Sequence, residues 1–290
     1  MSENYDLQSY MTKGVERIVA ETVRAGLKNP REASFMMRFA AAAKSAAKRR
    51  DAAEAKGVIV PAFLTAAVTE KTAESSKTAG VETAPLGAEE WLGVFDAADR
   101  LGVSFILLTG GEPLLRRDVL KCAVRKPNIL FPVIADSMLP DERHLSLFDR
   151  SRNLVPVLSF AGGRIRTDAR YGEGAFEKRM AAFAQYREMG LTFGASVLVT
   201  KENAEEAADL AFVKKLADCG CRMLFFRAEV SITAEDREAF TARINAVRSA
   251  AAKPLIISFP QDMLDAYGLS EQEQGRFHID VHGRCILLQK

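Results

Sequence analysis

The chain is poor in cysteine, histidine and tryptophan: 290 residues carry four cysteines, three histidines and one tryptophan. Four cysteines over such a length exclude a disulfide-built scaffold, and thiols this sparse fit a reducing compartment. An excess of one charge is missing too, with 40 Lys plus Arg against 38 Asp plus Glu and a formal charge of +2. That balance argues against a nucleic-acid groove or an acidic substrate. No stretch reaches the eighteen or so uninterrupted apolar residues that a membrane span requires. The amino terminus, MSENYDLQSYMTKG, lacks the basic start and apolar core of an export signal. The expectation is a cytoplasmic chain with no membrane span and no nucleic-acid partner. Apolar residues, by contrast, are plentiful: 48% hydrophobic beside 27% charged supports one large core or two smaller ones.

From about Glu3 to Lys56 the pattern is helical, and the Ala-rich stretch ASFMMRFAAAAKSAAKRRDAAEAKG carries Lys and Arg along one face before Gly57 stops it. Such a basic amphipathic helix is read first as a packed helix with a solvated cationic face, and second as a device for docking on a membrane or protein. Beyond Gly57 the rhythm changes. Continuous apolar runs at 61–68, 103–108, 128–134, 154–160, 191–199, 221–230 and 254–259 have the character of parallel strands covered on both faces. Helical patterns at 88–102, 114–126, 141–151, 173–190, 204–220 and 234–251 separate them. Repeated strand and helix means βαβ crossovers, hence an α/β fold, either a doubly wound sheet or a full or partial (β/α) barrel. Both place ligands at the carboxyl ends of the strands, so function is sought in the loops there. The first of these, TEKTAESSKTAGVETAPLG, is long and polar, a length usually kept for function.

After the run at 103–108 comes Thr109-Gly110-Gly111-Glu112-Pro113. Two glycines let backbone approach a ligand, Glu112 stands where its carboxylate meets an ammonium group or simply caps the next helix, and Pro113 presets the first helical turn. On spacing alone the tight-turn reading leads.

The run ILLTGGEPLLRRDVL resembles the GGEP segment of radical S-adenosylmethionine (radical SAM) enzymes, and FMMRFAAAAKSAAKRR, LSFAGGRIRTDARYGEGAFEK and LTFGASVLVTKEN resemble further parts of one branch of that superfamily in the same order. The resemblance runs from about Ser34 to His282. It implies a partial (β/α)6 TIM-like barrel of the radical SAM type with an N-terminal helical extension. The implied divisions are an extension at 1–57, a barrel at 58–260 and a short C-terminal extension at 261–290, a cut-down auxiliary region. Gly110, Gly111, Glu112 and Pro113 are then expected to bind the amino end of S-adenosylmethionine, Ser159 to lie near its ribose and Asn203 near the cofactor.

The same resemblance implies a [4Fe-4S] cluster on a CxxxCxxC motif in the loop after the first strand. Aligned from PAFLTAAVT, its cysteine positions fall on Thr72, Ser76 and Ala79, and neither a hydroxyl nor a methyl replaces a thiolate on iron. Cys122 lies in the helix after the second strand, and Cys219 and Cys221 flank the sixth at the end opposite the GGEP loop. Cys285 stands alone where relatives begin an auxiliary cluster, so all four read as structural thiols. Asp136-Ser137 and Ala161 depart from the branch's usual Asn-Gly and acidic residue. In FHIDVH, His278, Asp280 and His282 share a face if extended, but steps of about 6 to 7 Å keep three such ligands from one ion, so no metal site is expected. His144 is read as lying on a charged helix face without a role.

The resulting expectation is a radical-SAM-superfamily chain that keeps its cofactor loop but lacks cluster ligands. It would act as a cofactor-binding or partner pseudoenzyme beside an intact relative, or on a peptide or small-molecule substrate. The alternatives are a functional enzyme whose iron-sulfur cluster is completed by another chain, and a docking module working through the basic helix.

Overall fold

The computed structural model describes residues 7–24, 29–72, 85–228, 233–251, 253–270, 275–285 and 288–289. The fold class is α/β, a partial (β/α) barrel of parallel strands with helices between them. Its contacts divide the chain into two compact units, one of Val19–Pro156 with Gln272–Lys290 and one of Met1–Ile18 with Val157–Glu271.

In the first unit, β2 (Phe63–Thr69) pairs in parallel with β3 (Phe105–Gly110), and β3 with β4 (Phe131–Ala135). A short strand, β9 (His278–Ile279), adds to the free edge of β2, with Thr65 opposite His278. Two-residue strands β1 (Val58–Ile59) and β10 (Leu288–Gln289) pair antiparallel. Between the long strands run α3 (Ala88–Leu101), α4 (Arg117–Val124) and α5 (Glu142–Arg150). Gly87 and Glu90 open α3, the Glu90 carboxylate accepting from the Gly87 amide, and Gly102 ends it in the left-handed region at φ 96°. Buried rings of Trp91, Phe95 and Phe131 pack against one another in this unit's core, Phe95 meeting Phe131 edge to face at 4.9 Å.

The N-terminal helical stretch is two helices, α1 (Leu7–Arg24) and α2 (Pro30–Glu54). Pro30 fits the first turn of α2, and the Asn29 side chain accepts from the Glu32 amide. Helix α2 buries Phe35 and Phe39, and Phe39 meets Phe105 of β3 edge to face at 5.4 Å. Part of its basic face is engaged within the unit. Arg49 and Arg50 donate to the carbonyls of Asp99 and Gly102 at 3.0 and 2.6 Å, where cations complement the carbonyl end of α3. Arg152 bridges buried Glu32 to Asp149.

In the second unit, β5 (Leu154–Phe160), β6 (Gly194–Val199), β7 (Met223–Ala228) and β8 (Leu255–Phe259) pair in parallel in that order from Val157 on. Helices α6 (Arg164–Tyr171), α7 (Ala175–Glu188), α8 (Ala204–Ala207), α9 (Leu210–Asp218), α10 (Ala234–Ala250) and α11 (Gln261–Tyr267) cover them. Phe160 of β5 packs on Phe176, Phe183 and Phe212, so that face of the strand meets helices and Ser159 faces the other way. Arg248 and Asp262 form a buried ion pair, and Asp262 also accepts from the Ser258 amide at 2.6 Å. Burial pushes the Asp262 carboxyl above its ordinary value, partly offset by Arg248. Among the described residues no helix is long and apolar enough to cross a membrane.

Candidate functional site

The site sits at the carboxyl ends of β2 and β3. There β3 ends in Gly110 at φ 111°, a conformation other residues rarely adopt. A Cβ added at Gly110 would fall on the Thr69 carbonyl, and one at Gly111 on the Lys71 carbonyl. The glycines are thus demanded by the close approach of the chain leaving β2. Gly111 donates to Thr69 O at 2.7 Å and Glu112 to Lys71 O at 2.8 Å, a backbone clasp between the two loops.

Glu112 is wholly buried, and its carboxylate takes five donors. Leu114 N reaches Oε1 at 3.2 Å; the amides of Asp136, Ser137 and Met138 and the Ser137 hydroxyl converge on Oε2 at 2.9–3.2 Å. Burial is the largest influence on this carboxyl and raises its pKa, while the N–H donors oppose the rise by favouring the anion. Glu112 therefore caps the 3-10 turn at Pro113–Leu115 and also fixes the loop after β4. Asp136-Ser137, read from the sequence as a departure from the family, supplies that carboxylate with donors.

Two residues to which the sequence reading gave no role at the site hold the loops. Arg116 donates to Val68 O and Leu86 O, both at 2.9 Å, so one guanidinium ties the two ends of the long loop after β2. Its Nε meets Asp118 at 3.0 Å, and that contact holds the Asp118 carboxyl below its usual range. His144 corrects an expectation. It is buried, its Nε2 lies 2.9 Å from Leu114 O, and Asp141 accepts from its backbone amide. It thus braces the turn after Pro113 rather than facing solvent.

The histidine segment is also rebuilt. Only His278 and Ile279 are extended; Asp280 turns the chain by accepting from the amides of His282 and Arg284, both at 2.9 Å, and from Arg284 Nε at 2.7 Å. The shared face of three ligands is therefore lost at Asp280. Among the described residues no three His, Cys, Asp or Glu groups converge as a metal site. His278 Nδ1 lies 2.7 Å from Thr65 Oγ1, and burial holds its pKa below the usual histidine value. A cavity of about 460 Å3 opens here, with Thr69, Glu70, Gly110, Gly111, His278 and Arg284 among its walls. That volume lies in the range of small-molecule sites, roughly 300–1,000 Å3.

Of the expected cofactor residues, Gly110, Gly111, Glu112 and Pro113 come together in the first unit. Ser159 and Asn203 belong to the second. Ser159 Oγ is buried without a hydrogen-bond partner among the described residues, and its carbonyl accepts from Arg179 Nε at 2.6 Å. The Asn203 amide is saturated locally: Nδ2 donates to Ala161 O and Leu198 O, and Oδ1 accepts from Thr200 N. Of the cluster positions, Thr72 is described and half-buried, whereas Ser76 and Ala79 lie outside the described residues. The thiols present do not fit a cluster. No cysteine precedes Cys122, which is buried in α4; Cys221 is buried, its Sγ 3.1 Å from Met223 O, with its pKa pushed up to about 12.

Parallel strands, intervening helices and a glycine-lined cavity where two strands end define a (β/α) barrel with its site on the βα loops. The sequence pattern of the radical SAM superfamily matches residues 72–244, more than half of the chain, and the chain belongs to that superfamily. The PqqA peptide cyclase of Granulibacter bethesdensis is 29% identical over 131 residues, 44% of this chain and 34% of that protein. The PqqA peptide cyclase of Methylocella silvestris is 26% identical over 190 residues, covering 60% and 50%. The chain thus spans a third to a half of the length of these curated relatives. Among solved structures, Streptococcus suis SuiB bound to S-adenosylmethionine matches with a TM-score of 0.58 at 14% identity, over 82% of this chain and 61% of SuiB. SuiB bound to its precursor peptide SuiA matches at 0.56 and 13%, over 82% and 62%. At these identities the likeness is one of fold.

Proposed function

We propose that this chain is a GGEP-branch member of the superfamily that keeps the cofactor-side loop, lacks the ligands for a [4Fe-4S] cluster, and works as a cofactor-binding partner protein rather than a radical enzyme. One observation carries the reading: in 290 residues the first cysteine is Cys122, so the loop after β2 holds no thiol. In the superfamily a cluster delivers the electron that cleaves S-adenosylmethionine. With Thr72, Ser76 and Ala79 in the cluster positions, this chain's own residues give that step no foundation. What they do provide is a clasped pair of loops and a cavity beside Gly110 and Gly111 that suits the amino-acid end of a small cofactor. The relatives named as peptide cyclases, and a fold neighbour bound to a precursor peptide, support a peptide as the molecule on which the chain or its partner acts. Calorimetric titration with S-adenosylmethionine tests the reading, and saturable binding without cleavage to 5′-deoxyadenosine under reducing conditions is the expected result.

The names of those relatives favour a second reading, in which the chain is part of a working peptide-modifying enzyme whose cluster is completed by another chain. Cleavage of S-adenosylmethionine that appears only when an intact relative is added, and that requires this chain, would establish it.

A further inference from the structure

A second cavity, of about 710 Å3, lies in the first unit at the amino ends of β4 and β5, away from the glycine loop at the carboxyl end of β3. Three pieces of chain frame it: the first turns of α2, the turn after α4, and the corner where α5 ends and β5 begins. Arginines dominate its walls. Arg31, Arg38, Arg150 and Arg152 line it, against Asp149 as the carboxylate of the lining. Asp149 is met twice, by Arg152 at 2.6 Å and by Arg31 at 3.6 Å, and Arg152 also reaches buried Glu32 at 3.4 Å. Arg38 and Arg150 are exposed and enter no ion pair among the described residues. The carboxylates at the cavity are therefore already matched, and two guanidinium groups remain. The amino end of α2 and the carbonyl end of α5 meet here and offset one another, so the arginines set the sign of the field. Phe35, Val124 and Pro127 supply apolar wall between the charges. A concave site of this size and mixed lining suits a short segment of chain rather than a nucleic-acid duplex or a flat bilayer.

We propose that this cavity docks an acidic segment of a peptide, with carboxylates on Arg38 and Arg150 and an apolar side chain against Phe35, Val124 and Pro127. Guanidinium groups take carboxylates in paired hydrogen bonds, and the apolar wall separates such a segment from a bare anion. The proposal deepens, and rests on, the reading of a peptide as the molecule on which the chain or its partner acts. It places the docking point at the other end of the strands from the glycine-lined cavity, so the two can be occupied together.

Fluorescence anisotropy on the full chain tests it with rhodamine-labelled peptides of sequence DELED, DESED and KKLKK, which separate charge from the apolar contact. DELED should bind saturably and more weakly as salt rises, with DESED weaker than DELED and KKLKK weakest. The double variant Arg38→Glu, Arg150→Glu should lose at least about tenfold in affinity for DELED and bind KKLKK better than the wild type does. Lys44→Glu with Lys48→Glu makes the same change of net charge on exposed positions of α2 outside the cavity, and should leave binding of DELED unchanged. Thermal melting reports folding, and Arg38→Gln with Arg150→Gln serves where the charge reversal unfolds the chain. Saturable binding of DELED that both double variants weaken equally, or that neither weakens, would overturn the inference and leave the peptide reading standing. Equal binding of DELED and KKLKK by the wild type would overturn it as well, and saturable binding of no peptide would count against both. Titration of the Arg38 and Arg150 variant with S-adenosylmethionine should match the wild type, and loss of that binding in a folded variant would contradict the separation of the two cavities.

Discussion

The loop after β3 and the loop after β2 lie side by side, clasped by two backbone hydrogen bonds, yet they differ in composition: one is glycine-rich and anchored on a buried carboxylate, the other long, polar and without a thiol. The loop after β3 keeps Gly-Gly-Glu-Pro, and each of those residues has a mechanical reason to stay. The glycines admit the neighbouring carbonyls, Glu112 collects five donors, and Pro113 starts the turn that His144 braces. The loop after β2 is tied at its ends by Arg116, and in the proposed reading Thr72, Ser76 and Ala79 stand at its cluster positions. Each residue of the GGEP loop thus has a role in the architecture of the barrel, and that role does not depend on a redox partner.

The sharpest way to break this contrast is to reverse it. Combining Thr72→Cys, Ser76→Cys and Ala79→Cys restores the three positions, and because the neighbouring loop is intact, anaerobic reconstitution should change iron binding from none to one cluster per chain. Iron and sulfide analysis with EPR checks this, and a folded triple variant that takes up no iron would show that the frame has diverged as well as the ligands. Next in size is Glu112→Ala. It leaves four backbone amides and a hydroxyl without their acceptor in a buried site, a loss of about 3 kcal/mol measurable by urea unfolding; an effect below the error of the fit would remove the carboxylate from its place in the architecture. Arg116→Ala releases both ends of the loop after β2 and should cost about 2 kcal/mol, with faster proteolysis between residues 69 and 86 than elsewhere.

Smaller effects concern thiols and protons. Burial raises the pKa of Cys122, Cys221 and Cys285, most for Cys221, so maleimide labelling of the folded chain should leave Cys221 unmodified while half-buried Cys219 reacts first. For His278 the folded pKa is depressed, so below the ordinary histidine value of 6.5 the unfolded chain binds the proton more readily. Stability should consequently decline as pH falls from 6.5 toward the depressed value, and His278→Phe should flatten that part of the profile.

Much of the fold was legible because strands covered on both faces are continuously apolar: each of the seven runs read from the sequence overlaps one of β2 to β8, and four contain it whole. Helix α6 was passed over, since Arg164–Tyr171 is short, strongly polar and bounded by Gly163 and Gly172, a pattern that also suits a loop. Strand β9 is shorter than the alternation in FHIDVH would allow if extended, because that alternation does not reveal that Asp280 caps a turn. At the site, GGEP stood out by its residue types. The work of Arg116 and His144 did not, because each acts on backbone carbonyls distant in sequence, at Val68, Leu86 and Leu114, and carbonyls leave no trace in a side-chain pattern. A basic residue placed directly after a glycine-rich loop was the available signal for Arg116.

The proposed function holds that this chain belongs to the superfamily but does not build its cluster. Anaerobic reconstitution of the wild-type protein with iron and sulfide, followed by iron quantitation and EPR of the reduced sample, tests it most directly. The account predicts no stoichiometric cluster and no cluster signal; a [4Fe-4S] cluster bound one per chain by the isolated protein would contradict it.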